Sequence, residues 1–230
     1  MQPQLAQWLP DNLPYDLRQR FDQIGRLELL KEAITLNQEW LKLWPANHPK
    51  RSVVLYNLGW AVYRQFEQLG QHNDLGEAIL LHQQALELRP APHQDRSSSL
   101  SSLACALHLQ FEQSGQCKDL EEGISLLQEA LELQPAPHPL RSNTLNNPGD
   151  ALRLQFEQSG QPKNLEEAIS LLQEALELQP APHPERSTTL NNLGNALRLQ
   201  FEQSGQHKDL EEAISLHQEA LELQPAPHPL

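Results

Sequence analysis

Cysteine is nearly absent from this chain: Cys105 and Cys117 are the only two in 230 residues. A disulfide between them is not expected, and with no secretory signal both thiols are read as reduced and cytosolic. Basic residues are scarce too. Lys and Arg number 17 against 30 Asp and Glu, a formal net charge of −13. That balance argues against nucleic acid, whose binding needs basic stripes that release counterions, and against anionic membrane surfaces. Long apolar runs are missing as well. Residues 1–13, MQPQLAQWLPDNL, hold none long enough for a signal peptide or a membrane span, so the chain reads as cytoplasmic. Within that tail Trp8 either caps the first helices or belongs to a loose end.

What the chain does have is one text, copied. Arg51, Arg96, Arg141 and Arg186, each followed by Ser, stand 45 residues apart, and 141–185 is nearly the same as 186–230. A fixed period between about 20 and 50 residues marks a solenoid, in which stacking on neighbours buries the apolar face that no unit buries alone. The reading is a 1–13 tail and one elongated all-α body over 14–230. Its units are 14–50 (shortened), 51–95, 96–140, 141–185 and 186–230, hence about ten antiparallel helices.

In the last unit Leu190, Leu193, Leu197 and Phe201 fall at i, i+3, i+7 and i+11, one stripe of a helix predicted over 188–205. Ala196 and Leu199 form a second apolar flank, and Asn191, Asn195 and Arg198 share the face between. A helix apolar on two sides is one sandwiched between neighbours. Gly205 is the expected left-handed terminator. Asp209 followed by Glu212 reads as a capping box opening the second helix, as do Asp74 with Glu77, Asp119 with Glu122 and Asn164 with Glu167. That helix carries Leu210, Ala213, Ile214, Ala220, Leu221 and Leu223 and stops at Pro225.

Leu145, Gly149 and Leu152, followed by Ala168, Leu172, Ala175 and Pro180, resemble the sparse signature of tetratricopeptide repeats, whose small alanines let paired helices approach closely. The resemblance covers nearly all of 14–230. It implies a right-handed α-α superhelix whose first helices line a concave surface. The usual period is about 34 residues, so each unit carries about 11 more, shared by a longer first helix and the Pro-Ala-Pro-His-Pro connection. Units of this length with a Leu-Asn-Asn-Leu core are similar to those of kinesin light chains. The wording is also similar to long arrays in fungal signalling proteins that carry a caspase-like or nucleotide-binding domain elsewhere.

Some units depart from the text. Trp40 replaces an alanine and is expected to widen the first helix pair. The 51–95 unit is aromatic, and Pro148 stands where other units have Leu58, Leu103 and Leu193. Proline inside a helix costs about 3 kcal/mol, so a kink near 144–147 is expected. No polar helix follows the last one, so its apolar back is expected to be exposed, or covered by a twin chain or further repeats. The chain reads as a piece of a longer array, or as descended from one.

Candidate chemistry is thin. His48, His93, His138, His183 and His228 recur every 45 residues. Zinc ligands sit about 2.0–2.1 Å from one ion, whereas packed helices lie about 8–10 Å apart. A structural role in the connection is therefore expected, with no metal and no cofactor. Glu211 and Glu212 fall in a first helical turn, where carboxylates favour the macrodipole without any catalytic role. Cys105 and His108, i and i+3 on one helix, lack an oxyanion hole. No enzyme is expected.

By the resemblance, Tyr56, Trp60 and Tyr63; Ser101, Cys105 and His108; Asn146, Asp150 and Arg153; and Asn191, Asn195 and Arg198 line the concave groove. Asn offers both donor and acceptor, so a row of amides suits an extended peptide backbone, and the aromatic end would supply an anchor. The expected function is a non-catalytic adaptor that binds a peptide or helix of another protein. The alternative is a regulatory arm that forms a homo-oligomer, or joins a larger assembly, through its bare last helix.

Overall fold

The computed structural model describes residues 13–135, 138 and 141–223. Among them are ten α-helices and no strand: α1 (Leu13–Ile24), α2 (Leu27–Leu43), α3 (Arg51–Leu69), α4 (His72–Glu87), α5 (Arg96–Ser114), α6 (Cys117–Glu132), α7 (Arg141–Ser159), α8 (Pro162–Glu177), α9 (Arg186–Ser204) and α10 (His207–Leu223). They gather into two compact units, Met1–Ser114 and Gly115–Leu230. In the first, α1 to α5 each pack on the next, and α3 also touches α1 and α5. In the second, α6 to α10 do the same, and α9 also touches α7. The 96–140 copy thus gives α5 to the first unit and α6 to the second.

The apolar stripes become the cores. Leu55, Leu58 and Val62 of α3 meet Ala78, Leu81 and Ala85 of α4, while Leu17 and Phe21 of α1 meet Leu29, Leu30 and Ala33 of α2. In the second unit Leu193, Leu197 and Leu199 of α9 join Leu165, Ile169 and Leu172 of α8 and Ala213 of α10. The two apolar flanks of α9 have two neighbours to cover them. Ala85, Ala130, Ala175 and Ala220 have no exposed surface at all. Trp40, in that place in α2, is also buried and stacks on Trp44 at 5.3 Å, which stacks on His48 at 4.2 Å.

Gly25, Gly70, Gly115, Gly160 and Gly205 all have φ between 66° and 71°, the left-handed region where a side chain is penalised. The N–H of Gly70, Gly160 and Gly205 donates to the carbonyl of Phe66, Phe156 and Phe201, each at 2.7 Å, closing the first helix. The expected terminator is present in every copy.

The N-caps of α4, α6 and α8 lie three residues earlier than the capping-box reading predicts. Gln71, Gln116 and Gln161 are the N-caps of α4, α6 and α8 and make no side-chain cap bond. Asp74, Asp119 and Asp209 lie inside the first turn instead. Their N–H groups donate to Gln71, Gln116 and Gln206 carbonyls at 2.9–3.0 Å, as Asn164 does to Gln161, so the turn is already wound where the capping residue was expected. The Asp74 carboxylate accepts from Gln65 Nε2 at 3.0 Å, tying the hairpin shut across the glycine turn. Cys117 is accordingly the first helical residue of α6. First helices also begin early, at Arg186 in place of residue 188. Helix α7 runs unbroken through Pro148, which is buried. Trp8, Pro225 and His228 lie outside the described residues.

The connections are built from the recurring His and Arg. His48, His93 and His183 accept at Nδ1 from the main-chain N–H two residues on, at 3.2, 3.1 and 3.2 Å. This engages the imidazole at the start of the next helix, the structural role expected of it. Arg51, Arg96, Arg141 and Arg186 reach back to the carbonyls of Trp44, Arg89, Gln134 and Gln179 at 2.7–2.9 Å. A cation there satisfies carbonyls left unpaired at the negative end of the preceding helix. Arg141 and Arg186 also hold Glu174 and Glu219 at 2.7 Å.

On α10, Ile214 is 50 % and Leu221 67 % exposed, whereas Ile169, in the place of Ile214 on α8, is 9 % exposed beneath α9. The apolar back of α10 is therefore bare among the described residues. No helix there is long and apolar enough to cross a membrane.

Candidate peptide-binding face

Each unit carries residues of the predicted row. In the first, Tyr56, Trp60 and Tyr63 of α3 are all half-buried, as are Ser101, Cys105 and His108 of α5. Tyr56 is held on several sides. The Arg18 and Arg89 guanidiniums lie 5.9 and 5.0 Å from its ring centre, His82 meets it edge-on at 5.7 Å, and its hydroxyl accepts from Ser102 Oγ at 3.2 Å. Arg18 sits closer over Trp60, at 4.7 Å, within cation–π range, and Phe21 meets the same indole at 5.9 Å. Ser101 Oγ is buried without a partner among the described residues, so the serine that reaches Tyr56 is its neighbour Ser102.

Burial sets the electrostatics. Arg89 is 2 % exposed, donates to Ser99 Oγ at 2.7 Å, and has its pKa lowered by burial, partly offset by Asp95. His82 is 1 % exposed and its pKa falls to about 4, first by burial and then by the charges of Arg18 and Arg89. Burial raises the Tyr63 phenol, and Cys105 and Glu67 push it further. Burial, then Glu67, pushes the Cys105 thiol up to about 11, so it is protonated at neutral pH and is a poor nucleophile. His108 Nε2 lies 3.5 Å from Glu112 on its own helix.

Arg18, His82 and Arg89 are the functional candidates that pattern reading passed over. In the copied text Arg18 recurs as Arg153 and Arg198 and His82 as His217, whereas Arg89 departs from the copy, standing where later units have Gln134 and Gln179.

In the second unit the row is polar throughout. On α7, Arg153 grips Asp150 at 2.8 Å and Glu157 at 3.0 Å. Asn192 Nδ2 of α9 donates to Asn146 Oδ1 of α7 at 3.2 Å. Asn191 Oδ1 lies 3.1 Å from His217 Nδ1 of α10. Arg198 is exposed and pairs with Glu202. The half-buried side chain of Asn195 forms no hydrogen bond with another described residue. Within this unit the Asn192–Asn146 amide bond joins α9 to α7. Among the described residues no group of three His, Cys, Asp or Glu could hold a metal ion.

The family model described as Tetratricopeptide repeat matches residues 186–230. That stretch is a tetratricopeptide repeat. Kinesin-light-chain-type, nearly identical TPR-like repeats from Podosopora anserina superpose with a TM-score of 0.59 at 20 % identity, covering 90 % of this chain and 94 % of that one. BtubC (BKLC) from P. vanneervenii gives 0.60 at 18 %, covering 99 % and 89 %. YrrB, a TPR protein with an unusual peptide-binding site, gives 0.54 at 16 %, covering 89 % and 82 %. No curated protein matches the sequence. At these identities the structures share the tetratricopeptide fold, and the closely copied unit 141–185 extends the repeat beyond its matched copy.

Proposed function

We propose that the chain is a non-catalytic scaffold that docks a peptide or helix of a partner protein along the polar row of its first helices. Tetratricopeptide folds generally mediate protein–protein interaction, and the peptide-binding site of YrrB lies on the same fold. The observation that carries the reading is Asn195, a half-buried amide on the row with no internal partner among the described residues. Donor and acceptor both left open suit the main chain of an extended segment. In the first unit, Trp60 beneath Arg18 supplies an aromatic anchor of the kind that dominates interface energy.

The test is affinity capture from a lysate followed by measured binding of the captured partner. Asn191→Ala with Asn195→Ala is expected to weaken binding while helicity by circular dichroism stays unchanged. If binding also survives replacement of Tyr56, Trp60 and Tyr63 by Ala in the same chain, the row is not the docking surface.

A second reading rests on α10. The place taken by Ile214 is covered on α8 by the first helix of another repeat, so a second copy of the chain is the occupant proposed for it. Ile214→Glu with Leu221→Glu would then lower the mass measured by light scattering; a chain already monomeric excludes this reading.

A further inference from the structure

We propose a docking site distinct from the polar row: a pocket in the second unit that takes an aliphatic side chain from a basic amphipathic helix of a partner protein. An open cavity of about 600 Å³ lies between α8, α9 and α10. Leu176, Leu193 and Leu216 give it an apolar lining, and Glu177, Glu212 and Arg186 stand among its walls. None of the row's residues lines it. At about 100° per residue, Leu193 lies about 200° around α9 from both Asn191 and Asn195, so cavity and row occupy opposite sides of that helix.

Charge selects the occupant. Arg186 is already engaged, with Glu219 at 2.7 Å and the Gln179 carbonyl at 2.7 Å. Glu177 and Glu212 are exposed, and their carboxylates form no ion pair or hydrogen bond with any described residue. The uncompensated charge in the wall is therefore two carboxylates, on a chain of net charge −13. An acidic segment is repelled there, and one carrying Lys or Arg is attracted. The volume falls within the usual range for ligand pockets, about 300–1,000 Å³. A helix that points Leu or Met at the leucines, with a basic residue one turn to either side, satisfies lining and wall together. Apart from Leu193, which becomes Pro148, the same residue types recur 45 positions upstream, so the site belongs to the repeat and not only to its last copy.

The experiment uses the full chain and a fluorescent Leu/Lys amphipathic peptide of about four helical turns, read by anisotropy, beside a scramble of the same composition and a Leu/Glu version. The Leu/Lys helix is expected to bind about tenfold more tightly than either control. Glu177→Lys with Glu212→Lys is expected to lose about tenfold in affinity. Glu211→Lys with Glu222→Lys, outside the cavity, and Asn195→Ala, on the row, are expected to leave it unchanged; the last separates this site from the peptide-binding row. Equal binding of the scramble, or equal loss from both charge-reversed pairs, would reduce the effect to diffuse attraction and overturn the pocket.

Discussion

His82 of α4 lies so close to Gly59 of α3 that a Cβ on the glycine would come within 2.9 Å of the imidazole. The same contact recurs as Gly149 with Leu172 and Gly194 with His217. One crossing point, repeated along the chain, thus holds a buried imidazole, a buried leucine or a half-buried imidazole.

The buried imidazole makes stability depend on pH. Its folded pKa of about 4 lies below the ordinary 6.5, so the fold favours the neutral ring. The stabilisation is complete above pH 6.5 and is lost as pH falls towards 4, where the unfolded chain binds the proton more readily. The shift corresponds to something on the order of 3 kcal/mol. Urea melts between these pH values are expected to show that decline in wild type and a flatter profile in His82→Leu, which copies the pairing of Gly149 with Leu172.

The two other crossings answer differently to a methyl group. In Gly149→Ala the new Cβ meets Leu172 Cγ at 2.6 Å, and Leu172 has no exposed surface into which it could move. Overpacking costs about 1–3 kcal/mol, against about 1 kcal/mol regained from helix propensity, so a net loss near 1 kcal/mol is expected. His217 is half-buried and can swing aside, so Gly194→Ala is expected to be nearly neutral. Denaturation midpoints of the two variants decide this, and Leu172→Ala placed with Gly149→Ala should cost less than the sum of the two.

Arg186→Ala removes contacts to the Gln179 carbonyl and to Glu219. With its side chain 18 % exposed, the expected loss is about 2 kcal/mol by urea denaturation. Arg186→Lys should recover less than half of this, because a single ammonium lacks the fork that reaches both partners.

Pro148→Leu restores the residue of the other copies. Residue 148 regains an N–H directed towards the Thr144 carbonyl, and the pyrrolidine ring no longer crowds the preceding turn. A gain of about 1–3 kcal/mol is expected, read as a higher melting temperature; no gain would mean that α7 has adapted fully to its proline.

Much of this architecture is legible in the sequence because the text is stated several times. Gly70, Gly160 and Gly205 recur after the same phenylalanine, and the stripe from Leu190 to Phe201 repeats around them, so chance matches drop out. Phase is harder to read. Asp74 looks like an N-cap by residue type, yet the turn begun at Gln71 starts the helix before it. Lateral contacts are harder still, since a stripe says which face a residue occupies and not which neighbour it meets. Hence the contacts of Ser102 with Tyr56 and of Asn192 with Asn146 could not be read from the stripe alone. Arg89 shows how the gap narrows: it stands where later copies have Gln134 and Gln179, and in a copied chain the residue that breaks the copy marks where local contacts have changed.

Because Arg186 clasps the connection that follows α8 with one end of its guanidinium and α10 with the other, no copy owns its own folding energy. Excised alone, 186–230 would begin with a cation stripped of the carbonyls it was shaped to meet. Each copy added in front returns those carbonyls and gains a clasp of its own, so tolerance to heat should climb with the number of copies in the row and not stay at the value of one.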